Sequence, residues 1–515
     1  MLFNSYTFIF GYLPVVIGIF FLVARCSHQL AAAWLAAASL FFYGWWSPRF
    51  VLLLLGSVGF NFAMGYAIAR QRLRQPSSVQ VKALLMVAVG GNVALLAYFK
   101  YVNFFIATAN DLWRAGWTFA DIILPLGISF YSFTQIAYLV DVYRGLAREY
   151  NPLHYLLFVT YFPHLIAGPI LHHKQMMPQF GQREIYRPHA ENLTVGLTIF
   201  AIGLFKKTVI ADHFALYATP VFDLAAANGR LPLLEAWVGA LAYTFQLYFD
   251  FSGYSDMAVG LSWMFNISLP LNFNSPYKAT SIIEFWRRWH MTLSAFLRDY
   301  LYIPLGGNRQ GKMRRYVNLL VTMVLGGLWH GANWTFVFWG GLHGIYLLLN
   351  HGWRVVYDKL RLPPLPGSTV VAGALTFVAV VIAWVPFRSA SLGAAVNLLS
   401  GMFGFHGVVL PTRFASSLHM LQEFGVQFGG GSLALPWLDV VLWTAAGLAI
   451  VWLFPNTQQW MEGNFPGDGN RSATGVLGMA CRFRPGLRHG FVVGVLLLFA
   501  LVALDKPGEF LYFQF

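Results

Sequence analysis

Long apolar runs, each closed by a short polar or basic break, recur from one end of the chain to the other. A helix needs about 20 mostly apolar residues to cross a bilayer. By that measure spans are expected near residues 8–24, 30–46, 50–69, 83–106, 122–142, 193–211, 235–265, 370–388, 436–454 and 489–504, with 316–349 supplying two more. Segments 153–171 and 281–305 are apolar but interrupted, which suits re-entrant or interfacial pieces. Broken backbone is tolerated at membrane depth only where protein or a cavity surrounds it. The pattern predicts an all-α polytopic membrane protein with about 11–12 transmembrane helices plus re-entrant or interfacial helices. Residues Phe403 to Pro436, with Gly429 to Gly431, read as a polar, glycine-rich loop between spans.

Composition agrees. The chain is 57% hydrophobic and 10% charged, with a mean hydropathy of +0.58. That leaves no room for a large separate soluble domain, so residues 1–515 are expected to form one integral membrane domain. The 34 Lys and Arg against 20 acids would suggest nucleic acid in a soluble protein. Here the cations gather in short loops such as Arg70 to Arg74 and Arg482 to Arg488, as the positive-inside bias requires. Membrane lipids are therefore the expected contact, and nucleic acid is not. If Arg70 to Lys82 is cytoplasmic, the N-terminus lies outside and Arg144 to Arg148 returns to the cytoplasm. Phe8 to Ala24 lacks a basic n-region and reads as a retained helix. Cys26 and Cys481 imply no disulfide framework. The aromatic stretch Glu509 to Phe515 suits a membrane interface.

Four neighbouring blocks depart from plain lipid-facing helix. In Gln246 to Asp256, Gln246 and Asp250 share a helix face while Asp256 falls elsewhere on the wheel. Carboxylates in apolar surroundings need partners; arginines of a later block would serve, or the acids orient a histidine or a substrate. In Leu271 to Tyr277, asparagine and proline suit a loop that turns back, its amides mainly capping the next helix. In Ser281 to Ser294 and on to Tyr300, Ser281 and Glu284 fit a capping box, and Glu284 can pair with Arg287 and Arg288. Trp286, His290 and Ser294 share one helix face there, and the arginines can hold phosphate or carboxylate in bidentate fashion.

The fourth block, Gly326-Gly-Leu-Trp-His-Gly-Ala-Asn333, places His330 inside an apolar stretch. Gly326 and Gly327 lie a turn before it on a helix, and Asn333 nearly a turn after, all on one side. Histidine is the side chain best suited to proton transfer near neutral pH. Taken alone, the glycines are explained by close helix packing and the histidine by a satisfied core position. A second histidine, His290, in another unusual block shifts the balance toward chemistry. No nucleophile elbow, phosphate-binding loop or zinc motif is present. His172, His173 and His343 lack further ligands, so no metal is expected.

Together the blocks resemble the membrane-bound O-acyltransferase (MBOAT) family, and most closely its branch of membrane subunits of bacterial alginate O-acetyltransferases. The matching stretches are Tyr248 to Ala258, Glu284 to His290, Leu297 to Tyr302 and Gly326 to Asn333, with Leu124 to Phe130 and Phe162 to Pro169. The resemblance implies a family core over about residues 100–350, with variable C-terminal helices over 370–515, wrapped around a central tunnel. It further implies that His330 is the catalytic histidine and His290 a second site residue. Trp329, Asn333, Asp250, Asp256, Arg287 and Arg288 are the expected substrate-binding or supporting residues. The implied activity is O-acetyl transfer from a cytoplasmic thioester, acetyl-CoA, with no bound cofactor. The acceptor is expected to be an exopolysaccharide such as alginate, or cellulose. Separate periplasmic proteins would pass the acetyl group on, and the setting would be a bacterial inner membrane. Two other readings stay open: D-alanyl transfer from a carrier protein, and a transporter using His330 as a proton relay.

Overall fold

The computed structural model describes residues 1–75, 78–118, 122–147, 150–166, 168–360, 366–461, 483, 486–505 and 511. Cys481, Arg148, Arg482, Arg484 and most of the aromatic C-terminus fall outside the described residues.

Helices dominate: α1 (Thr7–Ala24), α2 (His28–Gly44), α3 (Pro48–Arg74), α4 (Val79–Trp113), α5 (Ile128–Arg144), α6 (Pro152–Thr160), α7 (Ala190–Ala226) and α8 (Leu233–Met264). There follow α9 (Ile282–Arg288), α10 (Met291–Leu297), α11 (Gly311–His330), α12 (Trp334–Leu360), α13 (Ser368–Arg388), α14 (Leu392–Met402), α15 (Trp437–Leu453) and α16 (Leu487–Val502), with shorter helical turns between some of them. Among the described residues six helices are by themselves long and apolar enough to cross a membrane: α1, α3, α4, α7, α13 and α16 with its extension to Asp505. The expected spans 30–46 and 122–142 are α2 and α5, each 17 residues long. The expected span 235–265 is α8, whose 32 residues carry Glu235, Asp250 and Asp256. The chain is an all-α polytopic membrane protein.

Three expectations are corrected. The segment ending near 211 continues to Ala226, because buried Lys207 is paired rather than solvated and so does not end the helix. The block 281–297 is two helices instead of one, broken at Trp289 and His290. The polar stretch 403–436 carries two short parallel strands, β1 (Val408–Leu410) and β2 (Val426–Phe428), pairing Val408 with Val426.

The helices pack as two compact units. The described residues of Met1–Phe205, Gly253–Asn272 and Leu487–Lys506 form the first; those of Lys206–Ser252, Phe273–Gly486 and Pro507–Phe515 form the second. In the first, polar side chains on α3 to α6 satisfy one another. Asn61 donates to Asn92 at 3.1 Å and Asn92 returns a bond to Asn61 at 2.6 Å. Gln135 donates to Ser57 at 2.9 Å, and the Tyr155 hydroxyl donates to Gln135 at 3.3 Å. With no water to turn to in the hydrocarbon layer, such amides must pair across helices.

In the second unit, glycines let α11 and α12 close into a hairpin. A Cβ at Gly327 would run into the carbonyl oxygen of Phe336 and lie 3.1 Å from the Cα of Gly340. A Cβ at Gly340 would in turn lie 3.0 Å from the Cα of Val324. Small-residue packing of this kind is how membrane helices approach closely. Gly327→Val is expected to destabilise the protein by about 1–3 kcal/mol through overpacking, read as a lower melting temperature in detergent. An unchanged melting temperature would refute this account of the hairpin.

Candidate active site

His330 is the last residue of α11. The chain then turns through Gly331, and Asn333 closes the turn: its side-chain oxygen accepts from the Thr335 N–H at 3.1 Å, and its amide donates to the Ala390 carbonyl at 3.1 Å. The expectation that Asn333 continues the His330 face of one helix is therefore corrected. The helix stops at His330, and the Asn333 amide serves the start of α12. Gly326 and Gly327 do lie a turn before His330, where Gly327 makes the α12 contact.

His290 reaches the same place from a different device. It sits between α9 and α10 with φ 42° and ψ 55°. That left-handed conformation costs a non-glycine residue roughly 1–2 kcal/mol, so the surrounding structure must hold it. Ser281 caps α9, accepting from the Glu284 N–H at 3.2 Å. The Glu284 carboxylate takes the N–H and hydroxyl of Thr280 and the guanidinium of Arg288, at 2.8, 2.9 and 2.8 Å. Arg288 also donates to the Asn274 carbonyl at 3.2 Å, while the Arg288 carbonyl accepts from the Asn274 N–H at 2.9 Å. Asn456 donates to Asn274 and Ser275 at 3.0 and 2.9 Å. The asparagine loop thus pins α9 instead of capping it.

The two imidazoles come together. Both are buried, His290 completely, and their ring centroids are 6.3 Å apart. Trp329 meets His330 edge-on at 4.9 Å, and Trp339 and Phe387 do so at 5.3 Å each. Phe251 meets His290 edge-on at 4.8 Å. Beside His330 a narrow cavity of about 10 Å³ is lined by Leu247, Phe251, Trp289, Trp339, Trp384 and Phe387. That is room for about one water molecule.

The other expected site residues separate into groups. Trp329 stands edge-on to His330. Asp250 does not pair with an arginine: its carboxylate is 2.6 Å from Lys207, which also binds Asp212 at 2.7 Å. Its neighbour Phe251 is the one that touches His290. Asp256 is buried in the first unit. Arg288 is committed to Glu284 and Asn274, whereas Arg287 is exposed. Lys207, Trp339 and Phe387 were not legible as site residues. Lys207 reads as the basic end of an apolar run, and the two rings read as ordinary apolar positions.

The model of the membrane-bound O-acyltransferase family matches residues 16–394, well over half of the chain. The chain belongs to that family. It is an acyltransferase and a multi-pass membrane protein. A peptidoglycan O-acetyltransferase of Helicobacter pylori is 44% identical over 437 residues, covering 80% of this chain and 81% of that protein. A probable alginate O-acetylase AlgI of Pseudomonas aeruginosa is 42% identical, covering 83% of this chain and 79% of its own length. A teichoic acid D-alanyltransferase of Streptococcus thermophilus is 30% identical over 44% of this chain and 57% of its own. The MBOAT match includes both histidine-bearing blocks, His290 and His330.

Proposed function

We propose that this chain transfers acetyl groups from a thioester, acetyl-CoA supplied from the cytoplasm, for O-acetylation of an exopolysaccharide such as alginate. The observation that carries this reading is the buried His330 ring beside a narrow aromatic cavity, with a second imidazole 6.3 Å away. His330 takes the proton of an acceptor hydroxyl as its oxygen attacks the thioester carbonyl. The tetrahedral intermediate collapses with loss of the thiolate, which receives the proton from His330. The thioester is already activated, so the protein has to supply an oxygen nucleophile and its alignment. The Asn333 side chain accepts from Thr335 and gives one N–H to Ala390, which leaves its second N–H, with backbone N–H groups, as a donor to the oxyanion.

A bacterial inner membrane and separate periplasmic acetyl-carrying proteins complete the proposal. A second acceptor, peptidoglycan, is favoured by the name of the 44% identical relative. Both acceptors are sugar polymers bearing free hydroxyls. In membranes given labelled acetyl-CoA, label is expected in a polysaccharide acceptor; with alginate and peptidoglycan fragments assayed side by side, the labelled one names the acceptor. Label that only crosses the membrane, with none bound covalently, would instead support transport.

The same assay tests His290. His290→Ala is expected to lower turnover by roughly tenfold or more, a loss of about 1.4 kcal/mol in the transition state. His290→Gly, which relieves the left-handed backbone, should melt no lower than His290→Ala yet be equally slow. Near-normal turnover in the glycine variant would show that the imidazole serves packing alone.

A further inference from the structure

The first unit carries a groove of about 530 Å³ between α1 and α2, lined by the small residues Gly11 and Ala37 and by Val16, Trp34, Phe41 and Trp45. Two polar rings that also face it are already satisfied. The Tyr12 hydroxyl donates to the Ala38 carbonyl at 2.8 Å, and the Trp34 indole N–H donates to the Val16 carbonyl at 3.2 Å. Each bond crosses from one helix to the other, so together they fix the groove's shape and ask nothing of its contents. Water does not fill an apolar void of this kind, and a lining without neighbours forfeits its van der Waals contacts. Because α1 is long and apolar enough to cross the membrane, hydrocarbon is the filler at hand.

The dimensions narrow the occupant further. Trp34 and Trp45 are 11 positions apart, a rise of ~16 Å along a helix. That is about half of the ~30 Å hydrocarbon core, the depth of one leaflet. Spread over that length, the volume gives a mean cross-section of roughly 33 Å². A helix about 10 Å across needs about 80 Å² and cannot sink into it. A single alkyl chain, ~4–5 Å wide at carbon contact distances, can. Trp45 is exposed at the end of α2, where an indole suits the headgroup layer.

We propose that the groove between α1 and α2 is a binding site for one acyl chain of a bilayer phospholipid. The headgroup lies at the Trp45 end and the tail reaches Trp34. The lipid braces the hairpin by supplying contacts that the two helices do not make with each other along this face.

Two glycines of α1 supply the test. A Cβ added at Gly11 or at Gly18 meets nothing within 4 Å, but only Gly11 lines the groove. Gly11→Leu therefore fills the groove without a clash, and Gly18→Leu is the matched control. Phospholipid retained by protein purified in mild detergent is counted by mass spectrometry. Gly11→Leu is expected to keep about one phospholipid fewer than wild type, and Gly18→Leu as many as wild type. Phospholipid added to delipidated protein should raise the melting temperature of wild type and Gly18→Leu but not of Gly11→Leu, as for any ligand of the folded state. Ala37→Leu fills the same groove from α2 and should behave as Gly11→Leu does, which guards against a folding defect peculiar to one variant. Equal retention in all four proteins, or an equal loss in Gly18→Leu, would overturn the site. A polypeptide that stays with wild type and is lost from Gly11→Leu would overturn the lipid as its occupant. Neither measurement involves acetyl transfer, so the outcome is independent of the proposed function.

Discussion

His330→Ala is expected to abolish acyl transfer while the protein accumulates and melts as wild type does. A positioned general base contributes on the order of 10²–10⁴-fold, so the residual rate should fall to or below the background of membranes lacking the protein. Removing an imidazole from a cavity wall rather than from the interior of a helix contact explains why the fold survives. The hairpin is held by Gly327 and Gly340, and its turn by Asn333, and none of these contacts uses the His330 ring. His330→Gln is the companion variant, since it keeps a polar side chain but cannot cycle a proton. It should be as inactive as the alanine variant. The measurement is labelled acetyl incorporation per mole of purified protein. Substantial activity in either variant would overturn the assignment of His330 as the base.

Lys207→Met is expected to have the largest effect on stability. The Lys207 ammonium lies between Asp212 and Asp250, at 2.7 and 2.6 Å, and the Lys207 and Asp250 side chains are each 2% exposed. Breaking a buried ion pair by removing one partner costs about 3–5 kcal/mol, because the other charge is left uncompensated. The consequence should be poor accumulation or a sharply lower melting temperature. Adding Asp250→Asn to Lys207→Met removes the more deeply buried of the two stranded carboxylates and should restore part of the loss, with Asp212, 15% exposed, keeping its charge. If the double variant is no better than the single one, the interaction is not the source of the instability. Phe251 follows Asp250 and touches His290, so the rescued variant should also regain activity.

The class of fold was legible because apolar length is a one-dimensional signal. Runs such as 370–388 and 489–504 became α13 and α16 with boundaries within two residues. The placement of His330 near a tight glycine contact was legible for the same reason, as a polar residue and small residues in a run that otherwise needs neither. The break at His290 was not. Trp289 and His290 carry no proline or glycine, and nothing in local preference marks a left-handed residue there. The tertiary grip of Asn274 on Arg288 and of Glu284 on Thr280 supplies it. Lys207 was missed because a lysine closing an apolar run has the same appearance whether solvated or paired, and only the fold brings Asp250 to it. Asn333 was misplaced because helical spacing was carried past Gly331, where the chain turns.

The aromatic box around His330 also sets terms for side reactions. An activated thioester is lost to hydrolysis whenever bulk water reaches it together with a base. A cavity with space for about one water molecule keeps that competitor scarce until the true acceptor arrives. Trp289, Trp339 and Phe387 line that cavity, so on the proposed mechanism their bulk limits what can stand beside the base. Widening the box at Phe387 would trade this economy for leakage: acetyl groups spent on solvent, and a site open to bulkier acyl chains.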